Sequence, residues 1–339
     1  MARKSVRKNK ETGAKKRIFW LDVLRVVAIF AVVTVHVATQ NWDKIAAGTE
    51  ENVVLAVFDA VARFAVPIFV MISGALMLGR EISLKKCLKK IGKLAIVWVF
   101  WCLFYAGMTL AMGKGTEAAL KDLAFGHFHM WFLPMIAALY LITPALKWIS
   151  KNQRWCVVVI IVLLVISVAL RLRWTAYPMF YLMGYILGNG SWVRGKRKKY
   201  ALIGAMFVFL ASTVAAAALN IRASIVEGVA VRPYDADWSI FVIMQAVAIF
   251  SGVKLVAGEQ PKKGAQRKIF AHLAGDVLGV YMVHIVVLGA LNKIGISDVM
   301  LSGVVGTICG TVIIIVLTTG LSIGIVEIIR KIPLLKNVV

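Results

Sequence analysis

The chain has 339 residues, 60% of them hydrophobic, with 40 lysines and arginines against 16 acids, a formal charge of +24. A mean hydropathy of +0.84 lies far above that of a soluble domain, whose apolar share is about half, so an ordinary soluble enzyme is excluded. The cations sit in short segments between apolar runs, as membrane topology signals do, and no patch or motif of a nucleic-acid binder accompanies them.

Residues 1–17 carry eight lysines and arginines and no apolar run. The segment that follows, Ile18 to Gln40, exceeds the length of a signal-peptide core and lacks a small-residue cleavage site after it. It is read as an uncleaved first span behind a basic cytoplasmic tail. Nine further apolar stretches follow, at 52–78, 92–112, 130–149, 155–171, 174–190, 200–219, 237–257, 271–292 and 300–329. The expected fold is therefore all-α: a multi-pass protein of about ten transmembrane helices, with domain bounds of 18–330 and a cytoplasmic tail at 331–339. With the N-terminus inside, 30 of the 40 cations fall in inner segments, eight in outer ones and two, Arg25 and Arg63, within spans. That asymmetry places both termini in the cytoplasm.

The first span carries Asp22, Arg25 and His36. Ionisable groups inside a span are costly and tend to face a protein interior or a wet cavity. Arg25 and His36 are eleven residues apart, about three turns, so they share a face, and Asp22 is one turn before Arg25. His36 has the chemistry of a general base or nucleophile; its bland role is a hydrogen bond to a neighbouring helix. Arg25 suits a phosphate or polar donor arm, or a structural pair with Asp22.

The second span holds Asp59 and Arg63 at i,i+4 spacing, then Pro67 and the pair Ser73-Gly74. Proline frees backbone groups there, and Ser73-Gly74 admits either a ligand or a tightly packed helix. The segment 79–93 is a basic loop on this reading, with Lys85, Lys86, Lys89, Lys90 and Lys93 set to touch anionic lipid or donor phosphates. The fourth span opens GHFHMWF. His127 and His129 offer hydroxyl binding or proton transfer, and Trp131 fits an interfacial aromatic belt. On a continuous helix the two histidines would diverge by about 200° and make a poor metal pair. The long outer loop 220–236 runs into Asp237 and is placed to fold over the outer mouth. In the ninth span Tyr281 and His284 lie one turn apart. Cys87, Cys102, Cys156 and Cys309 fit no metal spacing, and a disulfide framework is not expected. P-loop, nucleophile-elbow, His-Glu zinc and dinucleotide motifs do not occur.

Taken together, these residues resemble the integral-membrane acyltransferase 3 family, of the carbohydrate O-acetyltransferase type. The resemblance starts at RIFWLDVLRVVAIFAVVTVHV, where Arg25 and His36 reproduce an Arg-x10-His signature. It continues through RFAVPIFVMISGALML, with Phe69, Ser73 and Gly74, and HMWFLPMIAALYLITPAL, and closes at LGVYMVHIVVL with Tyr281 and His284. Some members carry an esterase-like or racemase domain that this chain is expected to lack. Lysines from Lys85 to Lys93 stand where members often have arginines.

The resemblance implies transfer of an acyl group, usually acetyl, from cytoplasmic acetyl-CoA or another acyl-CoA to a hydroxyl of an extracytoplasmic or lipid-linked carbohydrate, at the cell membrane and without a metal. On that reading His36 handles the acyl group, with Arg25 and Asp22 beside it. Arg63, Asp59, Ser73, His129, Trp131, Tyr281 and His284 contact the acceptor, and Lys89, Lys90 and Lys93 the donor. A transporter or flippase for a polar or glycan substrate is the alternative, since broken helices and intramembrane charges serve it equally.

Overall fold

The computed structural model describes residues 17–40, 42, 45–190, 193, 195–258, 264–296 and 303–339. Within them every regular element is a helix: α1 (Phe19–Gln40), α2 (Glu50–Ala62), α3 (Ala65–Leu78), α4 (Leu84–Ala111), α5 (Thr116–Phe125), α6 (Phe132–Ser150), α7 (Gln153–Ala169), α8 (Arg173–Asn189), α9 (Arg197–Glu227), α10 (Ile240–Ala257), α11 (Ala265–Lys293) and α12 (Gly303–Lys331). Counting α2 and α3 as one, eight of these are long and apolar enough to cross a bilayer. The other two expected spans are α7 and α8, each of 17 residues, the short end of the usual spanning range. The protein is a multi-pass membrane protein. Most of the basic tail lies outside the described residues.

α1 runs through the centre and meets α2, α3, α10, α11 and α12. Its Leu24, Ala28 and Val33 are fully buried. α9 and α12 instead show apolar side chains outward, among them Phe207, Val214 and Val305. A helix apolar all round belongs in a core or in lipid, and the bundle uses both.

Three departures from the sequence reading shape the site. First, the second span is two helices. Pro67 has no N–H for the carbonyl of Arg63, and its ring crowds that carbonyl; the chain accordingly turns at Arg63 and Phe64. Second, residues 84–93 are not a loop but the first turns of α4. Leu84, Cys87, Leu88 and Ile91 recur at helical spacing, and lysine is a good helix former. Third, α9 runs on to Glu227, so the outer loop begins at Gly228, not 220.

α3 and α8 cross with almost no gap. A Cβ at Gly74 would lie 1.8 Å from the Tyr181 carbonyl oxygen, and one at Gly184 would lie 2.0 Å from that of Met71. Gly74 therefore serves helix packing. At their inner ends, Lys147 Nζ donates to the Leu78 carbonyl at 2.5 Å, and Lys254 Nζ to that of Leu187 at 2.7 Å. Cations belong at helix C-termini, where unpaired carbonyls carry partial negative charge.

Candidate active site

The outer end of α1 brings His36 against α11 and the 126–131 turn. The His36 ring lies 5.0 Å from that of His284 and 5.8 Å from that of Phe128. His284 Nδ1 faces the carbonyls of Val280 and Tyr281 at 3.1 and 2.8 Å. This is ordinary i−4 and i−3 back-bonding, and it leaves Nε2 buried on the side of the ring away from its own helix. Residues 126–131 do not continue α6, as the sequence pattern had suggested. Gly126, at φ +77°, ends α5 in a region costly for other residues. The chain then turns, and the rings of His127 and His129 come to 5.7 Å instead of diverging. The Tyr281 hydroxyl donates to the His129 carbonyl and pins the turn to α11.

An outer cavity of about 190 Å³ opens here, walled by His36, Arg63, His129, Trp131, Arg173, Asp235, Asp237 and Tyr281 among others. Its charges form one network. Arg63 pairs with Asp59, which is fully buried, and lies 3.8 Å from Asp235. Arg232 reaches Asp59 at 3.5 Å, and Arg173 reaches Asp237 at 3.4 Å. Tyr177 donates to Asp237 at 2.7 Å, and the Arg173 guanidinium stacks over Trp131 at 5.5 Å. Three guanidinium groups thus offset three carboxylates. Burial raises the pKa of both loop acids, helped at Asp235 by the neighbouring Asp59 charge and opposed at Asp237 by the Tyr177 hydrogen bond; the arginines keep them from being isolated charges.

An inner cavity of about 220 Å³ is mostly apolar, lined by Phe69, Phe132, Ala274, Val277 and Leu278, with Arg25 at its edge. Arg25 donates to Asp22 at 2.6 Å, and Arg17 comes within 3.5 Å of the same carboxylate. Near Arg25 stands Tyr140, with Ser73 beside it. The Lys90 ammonium lies 5.4 Å over the Tyr140 ring. The two cavities share Val32, Val66 and Tyr281, so one thin partition separates them.

The sequence-predicted residues divide between these two places. His36, Arg63, His129, Trp131 and Tyr281 line the outer cavity, with Asp59 and His284 directly behind it. Arg25 lines the inner one, and Asp22, paired with it, does not. Ser73 lines neither cavity. Of the lysines, Lys90 reaches Tyr140, whereas Lys89 and Lys93 are exposed on α4. Arg173, Asp235, Asp237 and Tyr140 escaped the sequence reading as site residues. The first three sit at the ends of outer connections, where only a predicted loop fold could have pointed to them. Elsewhere, His272, Asp276 and Glu327 approach closely enough to share an ion, and Arg330, paired to Asp276 and 3.7 Å from Glu327, offsets part of their charge.

Comparison with known proteins gives three findings. Residues 18–327 match a family model described as an acyltransferase domain, that of acyltransferase 3. A protein of Enterococcus faecalis described as an amino-acid racemase is 28% identical over 212 residues, covering 58% of this chain and 26% of its own length. The chain thus spans about a quarter of that relative. No solved structure matches.

Proposed function

The chain belongs to the acyltransferase 3 family; from that premise we propose that it is a membrane acyltransferase that moves an acetyl group from cytoplasmic acetyl-CoA to a hydroxyl of an extracytoplasmic or lipid-linked carbohydrate at the cell membrane. The observation that supports this reading is the meeting of two unlike cavities at Val32, Val66 and Tyr281. The inner one suits a thioester arm: apolar walls with a guanidinium at the edge for a phosphate. The outer one suits a hydroxyl-rich acceptor: an aromatic face at Trp131 beside fixed carboxylates and guanidinium groups that accept and donate hydrogen bonds.

In this scheme the acceptor hydroxyl lies against His36, which takes its proton as the oxygen attacks the thioester carbon. The thioester is already activated. The C–S bond breaks, the electron pair leaves on sulfur, and the ester C–O bond remains. Reaching His36 requires the thioester carbon to pass the partition, so Tyr281, held by its bond to the His129 carbonyl, is the side chain that must yield. Arg25 holds the donor and does not itself touch His36.

Replacing His36 with Ala should lower acetyl transfer by about 10²- to 10⁴-fold, the usual contribution of a positioned base. The measurement is radiolabelled acetyl incorporated into surface or lipid-linked glycan by membranes with matched protein levels. Undiminished incorporation removes His36 from the chemistry. Uptake of a glycan without any acyl-CoA requirement would instead favour transport.

A further inference from the structure

Four of the five histidines form one unbroken file of rings. From His36 it passes to His284 at 5.0 Å, to His129 at 5.4 Å and to His127 at 5.7 Å, centroid to centroid. These residues come from α1, α11 and the 126–131 turn, so no one helix periodicity produced the file. No ring nitrogen of the file bonds directly to another among the described residues, and at such spacings one water fits between them. Both ring nitrogens of His129 and Nε2 of His284 are buried without a hydrogen-bond partner among the described residues, apart from an approach of His129 to the Met282 carbonyl. Buried polar atoms are normally satisfied, and each exception calls for a reason.

The two ends differ. The His36 end faces Arg63 and His284; among the described residues no carboxylate is paired with it, although Asp235 and Asp237 wall the same cavity. At the other end His127 Nδ1 is 2.9 Å from Asp122, whose second oxygen accepts from Thr109 at 2.6 Å. Among the described residues, the His127 end is thus where the file abuts a carboxylate, a group able to receive a proton and pass it on. That end reaches the surface: the His127 and Asp122 side chains are 16% and 14% exposed. Tyr105 stacks flat on His127 at 4.5 Å and lies edge-on to His129 at 5.2 Å. Tyr105 is itself tied to the Met282 carbonyl at 2.6 Å. The ring that shields the file is therefore locked in place.

We propose that His284, His129 and His127, ending at Asp122, form a proton-exit relay that carries the acceptor's proton from His36 to the outer compartment during acyl transfer. This rests on the acyl-transfer reading above. An acceptor seated in the outer cavity covers the direct route from His36 to water, and the file behind it remains open. The acceptor O–H breaks and its proton goes to His36. The ester C–O bond forms as the thioester C–S bond breaks. The thiolate takes a proton from the cytoplasm. His36 passes its proton to His284 Nε2, which hands it through His129 to His127 and then to outer water. Each transfer thus releases one proton outside and consumes one inside.

The test uses inside-out membrane vesicles of the parent cell, which carry their own acceptor, with acetyl-CoA added outside and an impermeant pH dye in the lumen. The expected result is one lumenal proton per acetyl transferred. His127→Ala should lower turnover at saturating acetyl-CoA by about tenfold or more, leave the acetyl-CoA KM unchanged and be restored by imidazole. Asp122→Asn should slow turnover in the same way. Acetyl transfer by the wild-type protein without lumenal proton release overturns the relay, and so does full turnover in both variants, or a loss that imidazole does not restore. If the variants fail to fold, the wild-type proton count decides. Absence of any acetyl transfer by the wild-type protein would instead sink the acyltransferase assignment of substrates, a separate outcome.

Discussion

Arg63 has the most to lose from a single substitution. It shields Asp59, which has no exposure at all. Removing one partner of a buried pair leaves an uncompensated charge, at a cost of about 3–5 kcal/mol, whereas removing both is often nearly neutral. Arg63→Met should therefore lower the midpoint of thermal unfolding in detergent, with some relief from Arg232, and Asp59→Asn in the same chain should recover most of the loss. A double variant no more stable than the single one would contradict the pairing. Arg25 sits differently. One arm is spent on Asp22, and the residue lines the inner cavity. Arg25→Lys replaces a fork by a point charge. A charge-assisted hydrogen bond is worth about 1.5–3 kcal/mol, so the acetyl-CoA KM in vesicles should rise by about tenfold or more. An unaltered KM would remove Arg25 from donor binding.

At the level of the helix, the α3–α8 crossing decides what Gly74 and Gly184 are for. Backbone carbonyls stand where their Cβ atoms would be, and a backbone cannot swing aside as a side-chain tip can. Gly184→Ala should overpack the crossing and cost at least about 1–3 kcal/mol, seen as a lower thermal midpoint with loss of folded protein. Activity falling with stability intact would mean that the glycine serves the chemistry instead. The Pro67 break was readable from sequence as freed backbone. That it would present Arg63 to the outer cavity was not, because a turn's direction depends on what each flanking helix packs against. α4 was missed in its first turns for another reason. A search for apolar runs overlooks an amphipathic start whose lysines outnumber its leucines, although the spacing was present in LKKCLKKIGK.

For the whole molecule, sidedness is the claim that matters. The inner cavity must face the cytoplasm for acetyl-CoA, and the outer one the opposite compartment. Lys89 and Lys114 are both exposed, near opposite ends of α4. In a cysteine-free background, Lys114→Cys should react with an impermeant thiol reagent in intact cells. Lys89→Cys should react only after permeabilisation. The reverse pattern would invert the protein and remove the donor from the inner cavity.

The sequence alone determined that this is a helical membrane protein and that the first of its apolar helices carries an acid, a guanidinium and an imidazole in line. Those features follow from hydropathy and from a helical repeat, both local. Only the tertiary structure decided that Arg25 and His36 open into different cavities, that Asp235 and Asp237 come from an outer loop to join Arg63 and Arg173, and that four histidines from three parts of the chain stand in file. Such meetings depend on how helices far apart in sequence pack around α1, which no spacing within one segment encodes.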